Sequence, residues 1–269
     1  MSPIGPIRFG AMCEHSYFEM PQVTIASSAL PPEFDGFRIG VLADLHLGPL
    51  VKCGFLHRAL ERLCQARPDM ILLCGDMVER PDESVDSLAR ELQPICRQFN
   101  TVAVMGNHDY WGGLEAFRRP IAAAGVDILI NEHRVIRRRA NPGPPASIAL
   151  LGLDDYMYGW PDFAAASAGL ENGTFTILAA HHPDQADALP TDAHVDLMLC
   201  GHTHGGQVCL FGRHLATCVR NPNYVAGHTP GPGFPMYISR GLGCVTFPIR
   251  IGAEPELPII TLRRRQMRE

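Results

Sequence analysis

Five short apolar runs in this chain stop at Asp, Asn or His and at no other polar residue type. "FRIGVLA" (37–43) runs into Asp44 and His46, "DMILLC" (69–74) into Gly75 and Asp76, and "TVAVM" (101–105) into Gly106, Asn107, His108 and Asp109. "FTILAA" (175–180) runs into His181 and His182, and "VDLMLC" (195–200) into Gly201, His202, Thr203 and His204. Short continuous apolar runs of this kind read as strands buried on both faces. Two helical patterns lie between the first three. In "GFLHRALERLCQA" (54–66), Phe55, Leu56, Ala59, Leu60, Leu63 and Cys64 share one face. "DESVDSLARELQPICRQF" (82–99) is the second, broken or kinked late by Pro94. The order β-α-β-α-β is that of a mostly parallel sheet with helices packed on it.

The second half is richer in strands. "DILI" (127–130), "RVIRRR" (134–139) and "SIALLGL" (147–153) precede the two His-ending runs, and "QVCLF", "MYISRG", "IRI" and "IITLRR" follow them. Helices are expected there only near 112–124 and 161–170. The expected fold is α/β: a four-layer α/β/β/α sandwich of two mixed β-sheets flanked by helices. No linker divides the 269 residues. The expected organisation is an N-terminal extension with an edge strand (1–36), one domain (37–262) and a basic tail (263–269).

In open α/β sheets, sites form beyond the carboxyl ends of the strands. All five polar tips can therefore meet. Asp44, His46, Asp76, Asn107, His181, His202 and His204 are seven donors of metal-ligand type, more than one tetrahedral ion takes. They suit two divalent ions about 3.5–4 Å apart, with a carboxylate on a tight Gly turn, Asp76, able to bridge them. Two carboxylates and a hydroxide leave such a pair net positive, which favours an anionic substrate such as a phosphate ester. Each piece alone is weak, because caps and turns produce Asp-x-His and Asn-His-Asp often. Five together in one strand-end context are what carries the inference.

In that order the pieces read "DLH" (44–46), "GD" (75–76), "GNHD" (106–109), "HHP" (181–183) and "GHTH" (201–204), and the chain resembles the calcineurin-like metallophosphoesterases. The longer strings "ADLHLG", "GNHDYW", "GHTHGGQV" and "SRGLG" resemble a bacterial branch of membrane-associated phosphodiesterases, similar to UDP-2,3-diacylglucosamine pyrophosphatases of lipid A synthesis. The resemblance implies that Asp44, His46 and His204 hold the first metal, that Asp76 bridges, and that Asn107, His181 and His202 hold the second. It implies Mn, Fe, Zn, Mg or Ni as the two ions. It also implies a hydroxide shared by the ions that attacks phosphorus in line, with His108 stabilising charge or protonating the leaving oxygen and Asp109 orienting His108. The implied substrate is a phosphodiester or pyrophosphate, with a UDP-2,3-diacylglucosamine-type lipid pyrophosphate, a nucleotide or a cyclic nucleotide as candidates. A non-catalytic scaffold of the same fold is the alternative from another class. It is disfavoured because every ligand and His108 are in place. A metallohydrolase of amides or lactams is disfavoured because its H-x-H-x-D-H run is absent.

Tyr110 and Trp111 are candidates for lining the substrate pocket or for anchoring their loop. Arg80 and Arg240 are candidates for touching phosphate or for ordinary surface roles, and "MYGWPDF" (157–163) for capping the pocket. His182 and Gln207 carry no assigned role. The formal net charge of −5 gives no platform for nucleic acid, and "RRR" (137–139) and "RRRQMR" (263–268) read as solvated ends with at most weak contact to anionic lipid. Nine cysteines without a framework read as thiols, Cys74 and Cys200 in the core, in a reducing cytosol. No apolar stretch is long enough to span a bilayer and no signal pattern opens the chain, so a cytoplasmic protein, at most peripheral to the membrane, is expected.

Overall fold

A computed structural model describes residues 9–10, 17–140, 143–210, 213–214 and 217–265. The basic tail beyond residue 265, the start of the expected N-terminal extension and part of "NPGPP" (141–145) lie outside them. Two six-stranded sheets dominate. The first contains β1 (Gln22–Ser27), β2 (Arg38–Leu42), β3 (Met70–Cys74), β4 (Asn100–Val104) and β5 (Asp127–Ile128). The second contains β6 (Glu132–Arg138), β7 (Ala146–Gly152), β8 (Phe175–Ala179), β9 (Leu197–Cys200), β10 (Gly227–Pro230) and β11 (Pro235–Ile238). The last long strand, β12 (Ile259–Arg264), returns to the first sheet. There it lies between β1 and β2, parallel to β1 and antiparallel to β2. Strands β2 to β5 run parallel, as do β7, β8, β9 and β11. Strands β6 and β10 close the second sheet antiparallel.

The period-two alternation of the buried strands sorts their side chains into three apolar layers. Ile39, Val41, Met70 and Leu72 face Ile177, Leu197 and Leu199 between the sheets. Leu42, Ile71 and Leu73 face the opposite way, onto helices α1 (Cys53–Ala66), α2 (Pro81–Cys96) and α3 (Leu114–Ala123). Ala149, Leu178 and Met198 form the outer face of the second sheet, under the short helix α4 (Phe163–Ser167) and Tyr224. This is the expected sandwich of two mixed sheets flanked by helices. Its outer layer on the second sheet is thin, because α4 has five residues where a longer helix was expected.

The expected apolar face of α1 is buried at Phe55, Leu56, Ala59, Leu60 and Leu63, while Cys64 is half-buried at its edge. Helix α2 starts on Pro81, which suits a first turn that needs no N–H donor. Pro94 sits in its last turn, and the helix stops two residues later rather than at residue 99. Strand β10 was not expected: "GHTP" carries no apolar alternation and is held by its pairing with β11. Leu30 and Phe34, from the segment before residue 37, are fully buried among the side chains between the sheets. Cys74 and Cys200 are buried thiols as expected. Cys244, however, is disulfide-bonded, which corrects the reading of thiols throughout. Spacing could not reveal it, because pairing depends on distance in the fold.

Candidate metal centre

The carboxyl ends of β2, β3, β4, β8 and β9 converge on one rim, and the turns after them bend hard. Asp44, His46, Asp76, His202 and His204 all adopt positive φ, five of the nine non-glycine residues that do so among those described. Such backbone is rare for non-glycine residues and persists where surrounding contacts hold it. The backbones also come very close. A Cβ on Gly201 would lie 2.5 Å from Asp44 Oδ2, and one on Gly75 would lie 2.7 Å from both the Gly106 nitrogen and His181 Nδ1. Cross-sheet bonds fix the rim: His202 N–H donates to Asp44 Oδ1 at 2.8 Å, and His181 Nδ1 donates to the Cys74 carbonyl at 2.8 Å.

Six of the seven expected ligands fall into clusters of donor atoms, and the seventh, Asn107, lines the same cleft. Asp44, His46 and His204 form one group of donor atoms, and Asp76, His181 and His202 a second; Asp76 also groups with His46 and His108. Asp76 Oδ2 lies 3.5 Å from His46 Nε2 and 3.3 Å from His181 Nε2, between the two sides. His46 Nε2 is 3.0 Å from His204 Nε2, and His202 Nδ1 is 3.1 Å from His181 Nε2. Buried oxygens Asp44 Oδ2 and Asn107 Oδ1 have no hydrogen-bond donor. Two orphaned oxygens among clustered imidazoles are what a cation would satisfy, and the mixed N/O donor set fits first-row divalent ions.

The far ring nitrogens set the tautomers. His181 gives its Nδ1 proton to Cys74 and turns Nε2 to Asp76. His46 Nδ1 donates to Glu79 Oε2 at 2.9 Å, and His108 Nδ1 to the Glu79 carbonyl at 3.2 Å. His204 differs: its Nδ1 accepts from Arg250 Nη2 at 3.1 Å, so the neutral ring carries its proton on Nε2, toward His46. Arg250 is 2% exposed and otherwise donates only to the carbonyls of Gly243, His204 and Ala253. Burial lowers it to about 10.

Burial, then the neighbouring His181 and His182, hold His202 down to about 2, and burial holds His182 at about 4. Burial, followed by His46 and Arg250, keeps His204 well below its usual range. These rings are neutral at pH 7, as ligands must be. Asp44 is pushed up to about 6, chiefly by burial. Against the cost of burial, Asp76 and Asp44 raise His181 to about 10, and the same contacts depress Asp76.

Other expected residues sit differently. The Asp109 carboxylate does not meet the His108 ring. It is fully buried and accepts backbone N–H bonds from Asp76 (2.8 Å), Met77 (2.9 Å), Gly106 (3.0 Å) and Val78 (3.4 Å), locking two turns together. Glu79 does what was expected of Asp109. Neither Glu79 nor Arg250 was singled out from sequence. The only signal was a Glu three residues past Asp76, which also reads as the lead-in to α2. The Tyr110 hydroxyl donates to Asp154, which makes it a loop anchor. Trp111, 39% exposed, stacks on His108 with ring centres 3.7 Å apart. Arg80 is exposed at the N-cap of α2. Arg240 is held by Glu256, Glu19 and Glu254. His182 stacks between His202 and Tyr156, 4.1 and 5.0 Å away, and its Nδ1 caps the following turn at Asp184. A cleft of about 440 Å³ opens on this centre, lined by His46, Asp76, Asn107, His108, His202 and His204 and also by Gln207, Thr217, Cys218 and 245–247.

The sequence pattern of the calcineurin-like phosphoesterases matches residues 37–206. The chain is 31% identical to an uncharacterized metallophosphoesterase, YkuE, of Bacillus subtilis (strain 168), over 96% of this chain and 90% of that one. It is 32% identical to phosphodiesterase YaeI of Escherichia coli (strain K12), over 94% and 92% of the two chains. A transmembrane protein with metallophosphoesterase domain from Danio rerio is 29% identical over 90% of this chain and 56% of its own length. With these matches and this set of donors, the chain belongs to the calcineurin-like metallophosphoesterases and is a metal-dependent phosphoester hydrolase.

Proposed function

We propose that the chain hydrolyses phosphodiesters or pyrophosphates on two divalent ions. Asp44, His46 and His204 would hold one, Asn107, His181 and His202 the other, and Asp76 both. The observation that carries this reading is Asp76 Oδ2 lying 3.5 Å from His46 Nε2 of one donor group and 3.3 Å from His181 Nε2 of the other, beside orphaned oxygens on Asp44 and Asn107. Bound there, the ions supply an activated water and the positive charge that receives the phosphate. His108, its Nδ1 proton held by Glu79, directs Nε2 at the leaving oxygen, and its cationic form gives that oxygen a proton. A diester is favoured over a phosphate monoester because no described residue lining the cleft is Lys or Arg. A second phosphate charge would go unpaired. The E. coli relative's name, a phosphodiesterase, points the same way.

A lipid pyrophosphate of the UDP-2,3-diacylglucosamine type remains the candidate implied by the branch resemblance, with a nucleotide or cyclic nucleotide as the alternative. Met157, Tyr158 and Trp160 (83% exposed) offer an apolar surface for peripheral membrane contact. Purified protein loaded in turn with Mn²⁺, Zn²⁺, Fe²⁺, Mg²⁺ or Ni²⁺ and given bis-p-nitrophenyl phosphate, p-nitrophenyl phosphate, a lipid pyrophosphate and cyclic nucleotides tests this. Turnover of a diester or pyrophosphate well above the monoester is expected. A preference for the monoester, or no bound metal, overturns the proposal.

A further inference from the structure

Gln207 closes the "GHTHGGQ" turn, and its side chain bonds to the loop at residues 245–247. Its side-chain Oε1 accepts from Val245 N–H at 3.0 Å, and its Nε2 donates to the carbonyls of Val245 at 2.9 Å and Phe247 at 3.2 Å. Its own carbonyl accepts from Ile251 N–H at 3.0 Å. One amide side chain thus holds both sides of a tight loop, in the manner of a strand partner. That loop is strained: Thr246, a β-branched residue, has φ +63°, and Phe247 N–H folds back onto the Val245 carbonyl at 2.6 Å. The loop presents Phe247, 65% exposed, in the wall of the cleft that the metal-type donors also line. Among the described residues Phe247 is the largest apolar side chain lining that cleft. Strained backbone pinned by a buried turn, with an aromatic ring left in solvent, is costly for folding and suited to contact with a ligand.

We propose that Phe247 receives a large apolar substituent on the phosphorus, the ester group that stays behind when the leaving group departs, and that Gln207 is the positioning residue that holds Phe247 there. This rests on the diesterase reading above. The cleft is consistent with it on charge: bound metals would neutralise the single phosphate charge, no described lining residue is cationic, and Val245 and Phe247 give the substituent an apolar wall.

The test uses three diesters with one leaving group, p-nitrophenolate, and a methyl, octyl or p-nitrophenyl group as the remaining substituent. Differences between the methyl and octyl esters then report only on that substituent. The metal-loaded chain is expected to prefer octyl over methyl, while the p-nitrophenyl ester, with two equivalent leaving groups and a more electrophilic phosphorus, is compared only between variants. Phe247→Ala should lower the octyl-to-methyl kcat/KM ratio about tenfold, the loss falling on KM, with metal content unchanged. The octyl and aryl arms separate an aliphatic from an aromatic occupant. Gln207→Ala should reproduce the Phe247→Ala ratio, the double variant should lose no more than either alone, and Gln207→Glu, which keeps one of the three bonds, should fall between. Ratios for both large substituents within twofold of the unaltered chain in Phe247→Ala overturn the proposal. An unchanged ratio in Gln207→Ala overturns the role of Gln207. No turnover of any of the three esters by the unaltered chain would instead overturn the diesterase reading itself.

Discussion

Glu79 serves two imidazoles with two different atoms. Its carboxylate holds His46 Nδ1, and its backbone carbonyl holds His108 Nδ1. Contact with His46 in turn depresses the Glu79 carboxyl below its usual range, so it is ionised at neutral pH. Glu79→Ala removes only the first bond. It should weaken metal binding about tenfold or more, measured by titration, while adding metal in excess restores most turnover. His108→Ala should do the reverse: metal content stays, and turnover falls about 100-fold or more with an alkoxide leaving group. The loss should be smaller with p-nitrophenolate, which departs without a proton. Equal losses for the two leaving groups would remove the acid role. At this scale the ligands were legible in the sequence because each follows a strand. Glu79 and Arg250 were not, since nothing local distinguishes a Glu at a helix lead-in or an Arg in "IRI" from a surface charge.

The turns after β3 and β4 behave as one element because Asp109 joins them. Both of its oxygens accept two N–H donors, which leaves neither free to carry a proton. This is carboxylate geometry, although burial and the Asp76 charge push the group up to about 7. Removing it strands four buried N–H groups. Asp109→Ala should therefore lose about 3 kcal/mol of stability in denaturant melts, with the metal site disordered as a consequence. A variant of native stability but low turnover would restore a direct role on His108. Sequence reading placed most strands within a residue or two, since burial on both faces leaves a continuous apolar run. It overestimated α4 and missed β10, whose ends are decided by neighbours rather than by local pattern.

Across the whole molecule the centre is a store of buried charge between two sheets. Asp44, Asp76 and four imidazoles crowd one rim, and divalent ions relieve that crowding. Chelation should lower Tm by about 5–10 °C, the linkage expected for a ligand near 100 times its Kd on a chain of this size. Asp44 is raised to about 6, so it holds a proton below that pH and competes with metal. The chelation effect should therefore shrink as pH falls through 6. His181, raised to about 10, would shed a proton on taking an ion, so loading at pH 7 should release protons that an indicator dye can count. Among the described residues no helix is long and apolar enough to cross a membrane.

By itself, the sequence determined the layers and which metal-type donors meet at one rim. Alternating burial writes the strands, and the residue just past each strand must lie at the sheet's carboxyl edge. It could not determine which oxygen or nitrogen each ligand turns inward. Those choices were made by partners far along the chain: Cys74 for His181, Arg250 for His204, Glu79 for His46 and His108, and Asp109 for the turns themselves. The same holds for Gln207, a conspicuous residue in the motif whose three side-chain bonds go to two residues about forty positions away. A hydrogen bond is set by distance in space, and only the folded backbone brings such residues within hydrogen-bond reach of each other.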